Sequence, residues 1–93
     1  MDDIFNQSFR IQKDVLSQEV SGESVLLDLN SESYYSLNEL GTRLWQLLKT
    51  GADLEKIYIT LFEEYEVGAD ELRRDLEKMI SEMLAAGLII LEA

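Results

Sequence analysis

Nineteen carboxylates dominate the ionisable chemistry of this 93-residue sequence, against eight lysines and arginines and no histidine. Close acidic pairs occur at Asp2/Asp3, Glu63/Glu64 and Asp70/Glu71. Glycoside hydrolysis, or capture of a hard cation, needs carboxylates held at a fixed separation across a cleft. These pairs are neighbours in sequence and fall at expected helix ends and solvated faces, the ordinary place for such residues. Serine and tyrosine are present, but without histidine no Ser-His-Asp arrangement forms. The absence of His and Cys removes the usual base near neutral pH, thiolate chemistry and the commonest transition-metal ligands. The five glycines are scattered, so there is no glycine-rich phosphate loop. The expectation is a chain with no catalytic residues, no metal and no cofactor.

Binding is then the function class to weigh. A net charge of −11 repels nucleic-acid phosphates and anionic membranes, and favours neutral or basic partners. The opening Met1-Asp2-Asp3-Ile4-Phe5 has neither the basic nor the long apolar region of a signal peptide. No apolar run approaches the roughly 20 residues that span a bilayer. A cytoplasmic location is expected. The segment Ser33-Tyr34-Tyr35-Ser36-Leu37 has the composition of a short strand. At the end of a sheet it would leave a row of N–H and C=O groups free, where an extended peptide can add. A plainer reading stays open: Tyr35 and Leu37 are core, and Tyr34 is an ordinary surface aromatic. Met79 and Met83 carry the same ambiguity, since methionine suits permissive grooves and plain cores alike.

The elements that must position these residues emerge from hydrophobic period. A domain of this length leaves much of its surface exposed and offers a groove sooner than an enclosed cavity. Residues 1–8 form an expected flexible arm, although Ile4 and Phe5 could tuck onto the domain, and residues 9–91 form one domain. From Phe9 to Leu37 the period is two. Phe9 and Ile11 alternate with polar residues, Leu16 and Val20 more loosely, and Ser21-Gly22-Glu23 turns the chain. Val25, Leu27 and Leu29 form a strand with that set facing the core. Asn30 to Ser33 is a second turn, and Tyr34–Leu37 is the last strand of an antiparallel meander.

Near Ser36 the period becomes helical. Ser36 or Asn38 caps a helix whose face is Leu37, Leu40, Leu44, Leu47 and Leu48, ending at Gly51. Asp53 caps a second helix with the stripe Leu54, Ile57, Tyr58, Leu61, Phe62 and Tyr65. A third carries Leu72, Leu76, Met79, Ile80, Met83 and Leu84 and stops at Gly87, before a final strand or packed tail at Leu88–Leu91. Strands first and helices after give an α+β fold that is winged helix-turn-helix-like, a three-stranded antiparallel sheet followed by a three-helix bundle. Such a fold invites a DNA-binding reading. Residues 70–86, however, set Arg73, Arg74 and Lys78 against Asp70, Glu71, Asp75, Glu77 and Glu82. That balance lacks the basic footprint phosphates require.

Val25-Leu26-Leu27-Asp28-Leu29, a turn, then Tyr34-Tyr35-Ser36-Leu37-Asn38-Glu39, Gly41 and Leu44-Trp45 resemble the PqqD-like proteins, as does the close on Ala86-Gly87-Leu88-Ile89. The resemblance covers roughly residues 9–91. It implies a winged-helix-like RiPP recognition element, a non-catalytic domain that binds the leader of a ribosomally made precursor peptide. Pyrroloquinoline quinone, lasso peptides and sactipeptides are among that family's products. In the family the leader adds beside the third strand and enters a cleft against the third helix. Carried over, the strand supplies Tyr34, Tyr35, Ser36 and Leu37. The helix, residues 69–86, supplies Leu72, Asp75, Leu76 and Met79, with Leu72 and Leu76 shared between cleft and core. The implied partners are a leader peptide and a separate radical enzyme, protease or cyclase, to which the domain delivers the precursor. A generic protein-interaction domain and a degenerate winged-helix transcriptional regulator remain as alternatives.

Overall fold

The computed structural model describes residues 4–92, so Met1–Asp3, with the Asp2/Asp3 pair, lie outside the described residues. A single 3-10 turn at Ile4–Asn6 leads into a short strand, β1 (Ser8–Ile11). The next two strands, β2 (Val15–Val20) and β3 (Glu23–Asp28), are joined by Ser21 and Gly22 at φ 54° and 84°. Two positive φ angles in a two-residue loop match the twist of a hairpin. Glu32, at φ 59°, turns the chain again into β4 (Ser33–Leu37). The order β2-β3-β4 is antiparallel throughout, which is the expected meander.

Three details depart from expectation. The loose strand expected between Phe9 and Val20 is two strands, divided by a turn in which the Val15 N–H donates to the Gln12 carbonyl at 3.2 Å. β1 leaves the meander and pairs antiparallel with β5 (Ile89–Glu92), Phe9 opposite Leu91. The apolar run at the end of the sequence is thus a strand whose partner lies about eighty residues earlier, a separation that local pattern does not encode. β3 also has the opposite phase. Leu26 is fully buried, whereas Val25 and Leu29 are 45% and 50% exposed. From Val25 to Leu29 only Asp28 is polar, so alternation cannot choose the face. Polar bonds choose it: buried Ser24 donates to Thr42 Oγ1 at 2.9 Å, and buried Asp28 accepts from Asn30 N at 3.0 Å and from Ser31 Oγ at 3.1 Å.

The third departure is at the expected arm. Its described part, from Ile4 onward, is docked: Phe5 is buried and meets Tyr58 edge-to-face at 6.0 Å. The Arg73 guanidinium lies 4.5 Å from the Phe5 centroid and 4.3 Å from that of Tyr58, within cation–π range. A backbone bond from Leu54 N to Gln7 O, 3.1 Å, fixes the same segment.

Three helices follow the meander. Helix α1 (Glu39–Leu48) is capped by Asn38, and α2 (Leu54–Glu64) by Asp53, whose side chain accepts from Lys56 N at 2.9 Å. Arg43 donates to both oxygens of Glu64, at 2.8 and 2.7 Å, tying α1 to α2 and holding the Glu64 carboxyl below its usual range. This pair is about one-third exposed and therefore contributes little to stability. Helix α3 (Ala69–Ala85) starts at Gly68 without a side-chain cap, but Asp70 and Glu71 in its first turn favour the positive end of the helix dipole. It ends on Gly87 at φ 75°, with Gly87 N bonded to Leu84 O and Leu88 N to Met83 O. This is a Schellman closure. It turns Leu88 and Ile89 into the core and sends β5 back beside β1. Leu44, Trp45, Leu54, Ile57, Leu61, Leu72, Leu76 and Ile80 from the helices join Leu26 of β3 and Phe9 of β1 in one buried core.

Two stability measurements check this packing. Phe5→Ala should lower unfolding free energy by about 3–5 kcal/mol, the range for deleting a buried aromatic, read from urea midpoints. A change below about 1 kcal/mol would mean residues 4–8 do not belong to the core. A Cβ at Gly87 would meet nothing within 4 Å. Gly87→Ala should therefore pay only the conformational penalty, about 1–2 kcal/mol, and Gly87→Asn less.

Candidate strand-edge groove

β4 is an end strand, paired with β3 on one side only, so alternate N–H and C=O groups on its other side have no strand partner among the described residues. Residues 38–42 fix where it ends. Asn38 leaves the strand and at once caps α1, its Oδ1 accepting from Gly41 N at 2.8 Å. Gly41 is buried at this crossing. A Cβ there would come within 3.3 Å of both Asn38 Oδ1 and Leu37 Cβ, tighter than ordinary packing. Thr42, next along, takes the Ser24 bond and itself reaches the Leu37 carbonyl at 3.4 Å. The sequence element Leu-Asn-x-x-Gly thus has a mechanical role, to hold the last turn of strand against the first turn of helix.

Side chains alternate along β4. Tyr34 is 70% exposed on the outer face of the sheet, with Ser36 on the same side, while Tyr35 and Leu37 point inward and are half-buried. Between their edge and the C-terminal half of α3 lies an open hollow of about 280 Å³. Tyr35, Ser36 and Leu37 form one wall, and Met79, Glu82, Met83, Ala86 and Leu88 the other. The lining is mostly apolar, with one carboxylate. A larger and more polar depression, about 660 Å³, adjoins it at Ser36 and Leu37 and is walled by the β2–β3 hairpin and Asn38.

Of the residues singled out from sequence, Tyr35, Ser36, Leu37 and Met79 meet around this hollow. Tyr34 borders the outer sheet face instead, in a shallow concavity with Leu16, Val25 and Leu27. Leu72 and Leu76, expected to serve cleft and core together, are 1% and 0% exposed and have no surface for a ligand. Both belong to the buried core cluster, on the part of α3 that packs inward. Asp75 is exposed on α3 but does not line the hollow. This hollow lies about two turns nearer the helix C-terminus than the expected set, at residues 79–86 where 72–79 were expected. Sequence reasoning leaves Met83 open between groove and core, and misses Glu82, Ala86 and Leu88 as lining. The spacing Met79, Glu82, Met83, Ala86 is the available signal, since it continues one helical flank. No group of three acidic residues among those described is placed to hold a metal ion, and no helix is long and apolar enough to cross a membrane.

Comparison with known proteins gives this geometry a setting. One similar structure, described as TbiB1 in complex with the TbiA(beta) leader peptide, is 32% identical, with a TM-score of 0.81 over 90% of this chain and 95% of that one. A second, described as lasso peptide synthetase B1 complexed with the leader peptide, is 25% identical, with a TM-score of 0.80 over 89% and 98%. No curated protein sequence matches. Residues 23–89, which include the meander's last two strands, all three helices and the start of β5, match the family described as coenzyme PQQ synthesis protein D (PqqD). The chain belongs to the PqqD family.

Proposed function

We propose that this domain binds the leader segment of a ribosomally made precursor peptide and delivers the precursor to a separate modification enzyme. The leader lies as an added strand along Tyr34–Leu37, and its apolar side chains enter the hollow against Met79, Met83 and Ala86. The single observation that carries this reading is an unpaired strand edge running beside an apolar hollow on α3. An edge alone offers backbone bonds to any extended chain, and a hollow alone offers burial to any apolar group. Together they recognise an extended peptide with apolar residues at alternate positions. Membership of the PqqD family supports it, as do two similar structures that are complexes with leader peptides.

Energies agree with a reversible complex. Each backbone bond to the added strand contributes only about 1 kcal/mol net, because it replaces a bond to water. Each well-buried apolar side chain contributes roughly 1.5–3 kcal/mol. Two or three anchors, less the cost of ordering the peptide, give submicromolar to micromolar affinity. Such a domain does no chemistry itself. It raises the effective concentration of precursor at the enzyme, a radical enzyme, protease or cyclase, in the cytoplasm where precursors are made. The exposed flank of α3 carries acidic residues at 71, 75 and 82, which disfavours duplex DNA as the ligand.

Calorimetric titration with leader peptides from precursor genes beside this one tests the proposal. Met79→Asp should weaken binding at least tenfold, by placing an unpaired charge among apolar groups, while circular dichroism stays unchanged. A proline scan of the leader should abolish binding only at positions whose N–H faces β4, because proline lacks that donor. Unchanged affinity in a folded Met79→Asp protein would place the peptide elsewhere.

A further inference from the structure

The hollow beside β4 has one ionised wall residue, Glu82, at its rim. The side chain of Glu82 is exposed and takes part in no ion pair or side-chain hydrogen bond among the described residues. Lys78, one turn earlier on α3, does not pair with it. By contrast Arg43 and Arg73 are both engaged, with Glu64 and Glu55. Asp75 lies farther back on α3, outside the hollow, so Glu82 is the one charge in its lining among the described residues. The facing wall, Tyr35 to Leu37, has no charge to offset it.

A peptide lying in this groove exposes Glu82 to whatever side chain comes beside it. An Asp or Glu there meets like charge next to apolar surface, which weakens binding. A Lys or Arg gains an ion pair and buries its aliphatic stem against the methionines. The field of a chain with net charge −11 acts in the same sense at longer range. In an extended peptide the side chains that face α3 recur at every second residue. The partner of Glu82 is therefore two positions from the apolar anchor, on the same face.

We infer that Glu82 is a specificity-determining residue: the leader recognised here carries a Lys or Arg two residues from the apolar side chain that fills the hollow. The inference rests on the reading that this groove binds an extended peptide. Relatives that share the groove but not this carboxylate would then select differently charged leaders with the same backbone contacts.

A phage-displayed library of random twelve-residue peptides, selected in parallel against the wild-type protein, Glu82→Lys and Met79→Asp, tests the two claims separately. The wild-type pool should be enriched in Lys and Arg two positions from an apolar residue, and the Glu82→Lys pool in Asp and Glu at that position. A synthetic peptide from the wild-type pool should bind Glu82→Gln about threefold and Glu82→Lys about tenfold more weakly, with the difference shrinking as salt rises. Circular dichroism establishes that both variants fold. If peptides are selected and lost with Met79→Asp, yet wild type and Glu82→Lys choose the same charges, the role of Glu82 is overturned and peptide binding stands. If no peptide is selected, or Met79→Asp makes no difference, the groove is not a peptide site and the inference falls with it.

Discussion

Strand β4 ends at Leu37 and helix α1 begins at Glu39, which leaves Asn38 alone to stop one element and start the other. A helix start has orphan N–H groups that need an acceptor, and the Asn38 side chain supplies one to Gly41. That bond draws the first turn of α1 to the strand so closely that only glycine fits at 41 without displacing its neighbours. Thr42 adds a polar link from the helix to both Ser24 and the Leu37 carbonyl. With no slack between strand and helix, β4 cannot shift in register or peel from β3 without also disturbing α1 and the core beneath it. An edge that accepts a peptide, as proposed for β4, has to be rigid and still unpaired, and this junction is compatible with both.

The same economy explains what the sequence makes legible. Helices α2 and α3 are apparent because their apolar residues recur on one face over three or more turns, and because Asp53 and Gly87 mark a beginning and an end. The capping alternatives at Ser36 and Asn38 are resolved by the close approach of Gly41, which is a three-dimensional fact. The phase of β3 is misread from pattern because Val25-Leu26-Leu27 is apolar on both faces, and the polar residues that break the tie are buried through partners at 30, 31 and 42. Pairing of β1 with β5 is invisible for a simpler reason: nothing local in Phe9 or Leu91 names the other.

For the proposed site, aromatic composition and a place at the end of a meander point to the strand that borders the hollow, whereas the helix residues that line it are not legible. Leu72 and Leu76 lie within two turns of Met79, and hydropathy does not distinguish a residue facing the core from one facing its margin. The margin is recognisable where apolar and charged residues are interleaved, as at Met79, Glu82, Met83 and Ala86. Residues of mixed character along a helix flank mark the border between packing and solvent, and grooves form at that border.

Ser8 and Glu92 are register partners in the β1–β5 ladder. At these two points the polypeptide runs side by side on a small sheet separate from the three-stranded one, while the residues before Ser8 continue into the core, where Phe5 meets Tyr58 and the Gln7 carbonyl accepts from Leu54 N. A host protein that carried this unit in a surface loop would have to keep residues 4–7 with it, because Phe5 is core and lies against Arg73 of α3. The hollow beside β4 is tied to this ladder as well: Leu88, which lines it, directly precedes β5, so the pairing of the first strand with the last also braces one wall of the hollow.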